Sequence, residues 1–321
     1  MSAPTPATRP SKVDTTTTTL LPGREHLMRR RSRGTKFRIW IADKGWRHAF
    51  AWVMCVFSLF PIVFVISAAF NPIGTLNSTS LVPTNGFSLN NLIDLFTHPN
   101  IPFVRWYANT IMIALTAAFL SIFISSLAAY AFSRFRFRGR RVGLLTLLLI
   151  QMFPNFLAIV ALFLIVGSIG EYFPAFGLNS AWGLMLVYMG GALGISTWLM
   201  KGFFDTIPIE LDEAATIDGA SHAQIYFKMI LPLASPIIAI SGLLAFVGTM
   251  NDFIIASLFL TDRDNMTLAV GLHSMVTENV RASQWGMFAV GTLLTAVLTV
   301  TVFMSLQRYI VSGLTGGAVK G

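Results

Sequence analysis

The chain has 321 residues, is 54% hydrophobic and only 12% charged, about half the charged fraction of an ordinary soluble domain, which excludes a soluble globular fold. A net charge of +9 raises nucleic acid as a partner, a question settled by where the charge lies. The single cysteine, Cys55, excludes an internal disulfide framework or a cysteine metal site.

Residues 1–23 are rich in Pro, Ser and Thr, with Thr15 to Thr19 unbroken. A segment of this kind buries too little surface to order itself and reads as a disordered tail. Residues 24–47 are basic, with Arg29, Arg30, Arg31, Arg33, Lys36 and Arg38 interleaved with Phe37, Ile39, Trp40 and Ile41. They read either as an interfacial segment held on anionic lipid or as the positive flank orienting the first span. Several apolar runs then reach the roughly 20 residues that cross a bilayer as a helix. Only helices satisfy lipid-facing backbone locally, and the alternating pattern of an outer-membrane barrel is absent. The chain therefore reads as an all-α polytopic membrane protein.

Span one is expected over about 48–70, with Pro61 a kink; it is too long for a signal-peptide core and reads as an uncleaved anchor. Residues 71–104 form an outer loop with a short helix near Asn90–Phe96, and span two covers about Trp106–Phe132. A loop with five arginines, 133–141, leads to span three, about Val142–Gly167, with Gln151 and Pro154 inside it. Span four is about Ala181–Phe204, span five about Pro236–Leu260, and span six about Trp285–Ile310. Between the last two lies an outer loop, 261–284, and a short tail, 311–321, closes the chain. The domains are thus an N-terminal extension, 1–47, a membrane-spanning region, 48–310, with its core at about 106–310, and the tail.

With six spans both termini share one side. Eleven lysines and arginines fall in 1–47, five in 133–141, then Lys201, Lys228, Arg308 and Lys320, which places 20 of 23 on that side. Only Arg105, Arg263 and Arg281 are left for the other. The positive-inside rule makes both termini cytoplasmic, and the basic excess is topological, with no nucleic acid required.

The longest polar interval after the first span is 205–232, which holds Asp205, Glu210, Asp212, Glu213 and Asp218. Pro208 suits a first helical turn, with acids near the positive helix start. Gly219 supplies a left-handed helix end, and Ser221 with Gln224 forms a capping box for a second helix that breaks at Pro232. Helix, glycine corner, helix makes a stiff knob between spans four and five. Glu213-Ala214-Ala215, Gly219 and Met229-x-Leu231-Pro232 resemble the EAA loop of binding-protein-dependent ABC transporter permeases, with Met229 where that family usually has isoleucine. From about Trp106 onward the chain is similar to the MalG-type permeases of maltose/maltodextrin importers. Gln151-Met152-Phe153-Pro154, Gly170-Glu171-Tyr172, Tyr188-Met189-Gly190-Gly191, Thr267-Leu268-Ala269-Val270-Gly271 and the ending from Ser312 carry that likeness.

No phosphate-binding Gly-x-x-x-x-Gly-Lys-Ser/Thr loop, catalytic constellation or metal-ligand spacing occurs. Uphill transport then needs a separate motor. The resemblance implies a type I importer permease in a bacterial inner membrane, with a second homologous permease, two ATPase subunits that bind ATP and Mg, and an extracytoplasmic solute-binding protein. It implies that Glu213, Ala214, Ala215, Asp218, Gly219, Leu231 and Pro232 form the ATPase-coupling surface, and that Gly316, Gly317 and Lys320 of the tail touch the ATPase. It also implies that the outer loop, through Asp262, Arg263, Asp264 and Asn265, faces the binding protein. It implies further that most direct sugar contacts lie on the partner permease.

Asn251, Asp252 and Gln151 are polar groups within spans, where ionisable side chains face protein or water rather than lipid; they line a pathway or bond a neighbouring span. Thr292, Thr295 and Thr299 share one helical face and invite the same two readings, since threonine hydroxyls often bond their own helix. The expected solute is an oligosaccharide, maltose or maltodextrin first, with trehalose or another solute as the alternative. A membrane glycosyl transferase would need paired acids near the membrane face. An ion-coupled carrier would need inverted repeats.

Overall fold

The computed structural model describes residues 44–82, 86–191, 193–277 and 284–318, with backbone alone at 155, 156 and 309–318. Residues 1–43 of the expected extension, 1–47, lie outside the described residues. The chain divides into two compact units, Met1–Phe60 and Pro61–Gly321. The described part of the first is helical and exposes its apolar side chains, among them Trp52 and Phe57.

Every regular element among the described residues is helical. Helix α1 is Trp46–Phe70, with Pro61 inside it. The short helix α2, Asn90–Thr97, precedes α3, Phe103–Arg134. There follow α4 (Arg140–Met152), α5 (Asn155–Tyr172), α6 (Ala181–Gly190) and α7 (Ile195–Phe204). The knob contributes α8 (Glu210–Ile217) and α9, which begins at His222 and runs through a π-turn at Tyr226–Ile230 to Leu233. The last four are α10 (Ser235–Asn251), α11 (Ile254–Phe259), α12 (Leu268–Thr277) and α13 (Trp285–Ala318).

Three helices are continuous, long and apolar enough to span a bilayer: α1, α3 and the Trp285–Arg308 part of α13. Three bent pairs, α4 with α5, α6 with α7 and α9 with α10, bring the count to six when each pair is one span; the third joins the knob's second helix to the first part of expected span five. Expected span three breaks between α4 and α5, with a turn of 102°. Pro154 is the cause, because it lacks an N–H and forces the preceding Phe153 out of the helical region, to ψ 131°. Expected span four turns by 54° over the glycine-rich stretch between Gly190 and Gly194. Expected span five is interrupted at Asp252, where ψ is 119°. The expected outer loop 261–284 is largely structured, with a 3-10 turn at Arg263–Asn265 and the helix α12. Most of the expected tail, 311–321, continues α13, which runs to Ala318.

Helix α3 is the central post, packed against α10, α7 and α6. Its inward stripe is Thr110, Ile113, Ala114, Ala117, Ala118, Ser125 and Ala129, all buried, whereas Leu115 and Phe119 point outward. Small residues at helical spacing let neighbouring backbones approach, which matters where helices associate without a hydrophobic driving force between them. At one end of α3, Trp106 is buried with Phe103, Leu268, Leu272 and Met275, and its indole N–H donates to Arg263 O at 2.6 Å. At the other end the knob is seated.

The start of α6 is held by backbone contact. A Cβ at Gly183 would stand 2.2 Å from Gly177 O and 2.9 Å from Phe176 O. Those carbonyls cannot swing aside as a side chain would. Gly183→Ala is expected to destabilise the fold by the upper part of the roughly 1–3 kcal/mol typical of overpacking, seen as a lower thermal unfolding midpoint. A midpoint equal to wild type in a detergent thermal-shift assay would show that the turn yields.

Candidate functional site

The knob is assembled by local rules. Helix α8 opens with Glu210, Asp212 and Glu213 in its first turn, where carboxylates meet the positive end of the helix dipole. It closes on Gly219 at φ +83°. Gly219 N donates to Thr216 O at 3.0 Å and Ala220 N reaches Ala215 O at 2.9 Å, the paired bonds of a Schellman corner. The Ser221 hydroxyl then accepts from Gln224 N at 3.3 Å, and Gln224 Oε1 accepts from Ser221 N at 2.8 Å. Both halves of the capping box are present.

The second helix departs from expectation at Pro232, which it passes without stopping. Leu231 N bonds Tyr226 O five residues back, and this widened π-register carries a proline that has no N–H to give. The break falls instead at Ala234, with φ −87° and ψ 6°, where the chain turns 78° into α10.

One strut fixes the knob beneath α3. Arg134 Nε lies 2.7 Å from Asp212 Oδ2, and the two side chains are only 8% and 14% exposed. The same guanidinium donates to Ile207 O at 3.0 Å. The Nε contact is ionic rather than a linear hydrogen bond, and Asp212 Oδ1 has no hydrogen-bond partner among the described residues. The inward face of the knob, Ala215, Ile225, Tyr226 and Ile230, is buried with Tyr130, Met200 and Phe204. Tyr226 Oη sits 2.7 Å from Ser126 Oγ.

Ala215, expected on the coupling surface, is buried: it packs into the chain's own core, where a small side chain lets α8 lie close. Glu213, Ala214, Asp218, Gly219 and Pro232 are exposed, and Leu231 is half-buried. Ile217, 87% exposed, is a large apolar side chain at the knob's tip that sequence reasoning missed. Its signal was an isoleucine directly before the Asp218-Gly219 corner. Beside it a cleft of about 320 Å³ is walled by Tyr130, Arg134, Phe135, Glu213, Ile217 and His222. A neighbouring brace closes the α7 end: Asp205 Oδ1 accepts from Ser133 Oγ at 2.7 Å, and Lys201 bonds its other oxygen. Burial pushes the Asp205 carboxyl up, but the Lys201 and Ser133 bonds and the charges of Lys201 and Arg140 outweigh it and hold it below the usual carboxylate range.

This rigid helix-corner-helix, braced from below and presenting an acid and an apolar tip, lies within residues 121–316, which match the family described as binding-protein-dependent transport system inner membrane component. The chain belongs to that family. Over 269 residues the permease is 40% identical to the galactooligosaccharides transport system permease protein GanQ of Bacillus subtilis (strain 168), covering 84% of this chain and 92% of that one. Over 297 residues it is 36% identical to the maltose/maltodextrin transport system permease protein MalG of Vibrio parahaemolyticus serotype O3:K6, covering 89% and 97%. A chain from the crystal structure of a bacterial ABC transporter involved in the import of the acidic polysaccharide alginate shares the fold. The TM-score is 0.71 at 22% identity, over 87% of this chain and 98% of that one. A second such structure is the bacterial alginate transporter in complex with an alginate pentasaccharide-bound periplasmic protein, with a TM-score of 0.60 at 16% identity, over 84% and 96%. The relatives are transport subunits, and the chain is a permease rather than an enzyme.

The remaining predicted residues of the permease are scattered. Gln151 lies in the last turn of α4, and its amide lies against Gly194, where a Cβ would stand 2.3 Å from Nε2; it thus links two of the helix breaks. Asn251 ends α10 and donates from Nδ2 to Val247 O at 2.9 Å. Asp252 is not inside a continuous helix, as expected, but at the break. Its Oδ2 accepts from Tyr188 Oη at 2.7 Å and from Ala256 N at 3.1 Å, so the carboxylate ties α6 to the start of α11. Asp262 to Asn265 form a turn pinned to the permease. Asn179 Oδ1 accepts from Asp262 N at 2.9 Å, Arg263 donates to Asn100 O at 2.9 Å, and Asn265 Nδ2 donates to Asn179 O at 2.8 Å. Asp264 pairs with Arg105 at 2.7 Å. Gly316 and Gly317 lie on the helical backbone of α13, and Lys320 is outside the described residues.

Proposed function

We propose that this permease is one of two homologous membrane subunits of an ATP-driven importer for an oligosaccharide of the maltose/maltodextrin class, in a bacterial cytoplasmic membrane. The knob is the observation that carries this reading. A stiff projection with an exposed acid and an apolar tip beside a cleft suits a socket on a soluble motor, and the braces at Arg134 and Asp205 give it a firm base. Six spans with both termini cytoplasmic agree with the charge count of 20 basic residues of 23 on the knob's side. Closure of two ATPase subunits on ATP pushes the knob, the bent spans swing from inward-facing to outward-facing, and the solute-binding protein opens against the outer turn Asp262–Asn265. The ATPases hold ATP and Mg, and the glycine-rich end of α13 reaches toward them. Each state is favoured by its own contacts at the two ends. A galactooligosaccharide is the second substrate reading, favoured by the 40% identity to a permease named for that solute.

Proteoliposomes holding both permeases, the ATPase and the binding protein test this. Accumulation of maltotriose that requires ATP and ignores ionophores is the expected result. Uptake without the ATPase would overturn the reading. So would labelling of Ala214→Cys, in a Cys55→Ser background, only from the outer face of intact cells.

A further inference from the structure

We propose that this permease carries its own binding subsite for one ring of a neutral sugar, in the cavity at the break of expected span five. The proposal rests on the importer reading and assigns to this chain a contact that the resemblance assigns to its partner.

The cavity has a volume of about 470 Å³, inside the range of roughly 300–1,000 Å³ common for small-molecule sites. Asn251, Phe253, His273, Phe288, Thr292 and Thr295 line it. It opens where α10 stops and the chain leaves helical geometry at Asp252. Non-helical backbone at membrane depth is tolerated where it is buried in protein or borders a water-filled cavity, and broken helices in transporters place polar ends at such sites. The break therefore has a purpose that a packing flaw would lack.

The lining selects the ligand class. Among the described residues no Asp, Glu, Lys or Arg borders the cavity, so apart from the His273 imidazole an ion or a uronate finds no counter-charge there. Thr292 Oγ1 donates to Phe288 O at 2.9 Å and Thr295 Oγ1 to Gly291 O at 2.8 Å. Their hydrogens are committed, so their oxygens remain as acceptors. Asn251 gives one amide hydrogen to Val247 O and keeps its carbonyl oxygen and second N–H. Such a set suits a ligand rich in hydroxyl donors. The rings of Phe253 and His273 lie 4.3 Å apart at 47° and form a corner of aromatic surface, with Phe288 beyond, against which the C–H face of a pyranose packs. Hydrogen-bonding groups on one side and aromatic faces on the other match the two surfaces a neutral sugar ring presents, its hydroxyls and its C–H face.

Ala296 is exposed and borders the same cavity, which makes it a reporter. In the complete importer, with Cys55→Ser and Ala296→Cys, the rate of maleimide labelling is measured in the vanadate-trapped state with and without maltotriose. Sugar at ten times its dissociation constant is expected to slow labelling about tenfold, and Phe253→Ala is expected to remove the protection. Equal rates with and without maltotriose, in an importer that accumulates it, would refute the subsite and leave the importer reading standing. A cysteine that never labels in any nucleotide state would mean the second permease fills the cavity, and also refutes the subsite. An importer that accumulates no oligosaccharide overturns both.

Discussion

Replacing Arg134 with methionine is expected to cost the permease about 3–5 kcal/mol, the typical penalty for leaving one member of a buried ion pair alone. Asp212 is 14% exposed and has one oxygen already without a hydrogen-bond partner, so its charge has little to fall back on. The same change removes the bond to Ile207 O, which fixes the chain just before α8. The start of the knob's first helix then loses both of its Arg134 tethers to α3. In detergent, the expected readout is a lower unfolding midpoint together with new protease cleavage between residues 205 and 220. The double variant Arg134→Met, Asp212→Leu is expected to recover most of the loss, because a matched apolar pair carries no desolvation penalty. Arg134→Lys recovers less, since one ammonium cannot reproduce the fork that reaches both Asp212 and Ile207. A single Arg134→Met variant with a wild-type midpoint and digestion pattern would show that the knob is held by its apolar face alone.

That strut joins residues far apart in sequence, and nothing local announces it: Arg134 read as one of five loop arginines and Asp212 as a helix-start acid. The corner itself was legible, because Gly219, Ser221 and Gln224 act through bonds within a few residues of each other. Pro154 and the glycines at Gly190, Gly191 and Gly194 carried the signal for two of the helix breaks. Hydropathy over a twenty-residue window blurs such signals, since the bent halves are as apolar together as a straight span. The break at Asp252 had a weaker mark, an Asn-Asp pair in an apolar run, and its meaning depended on Tyr188 from another helix. The direction of Ala215 was likewise a tertiary fact. Adjacent alanines point about 100° apart on a helix, and which of them faces inward is decided by where Tyr130 and Met200 lie. Pro232 misled because a π-turn absorbs it, a compensation that has no sequence rule of its own.

Gly219→Val is expected to cut ATP-driven uptake at least tenfold while leaving the permease inserted and folded. The left-handed conformation costs an L-residue about 1–2 kcal/mol, and more for a β-branched side chain. A Cβ at this position meets nothing within 4 Å, so the penalty is purely conformational and falls on the corner alone. The chain relieves it by opening the Schellman turn, which swings α8 against α9 and moves Glu213 and Ile217 away from their set positions. Two companion variants separate shape from surface. Gly219→Asn tolerates positive φ and is expected to keep more than half of the uptake. Gly219→Asp also tolerates it but adds a charge beside Asp218 on the proposed docking face, and is expected to uncouple the complex: ATP hydrolysis persists while sugar uptake fails. The measurement is uptake and hydrolysis by the same proteoliposomes, normalised to inserted protein. If valine, asparagine and aspartate all transport as well as glycine, force does not pass through this corner. A knob whose exact angle is irrelevant cannot be the lever, and the coupling would then have to run through α13 or the arginine loop before α4.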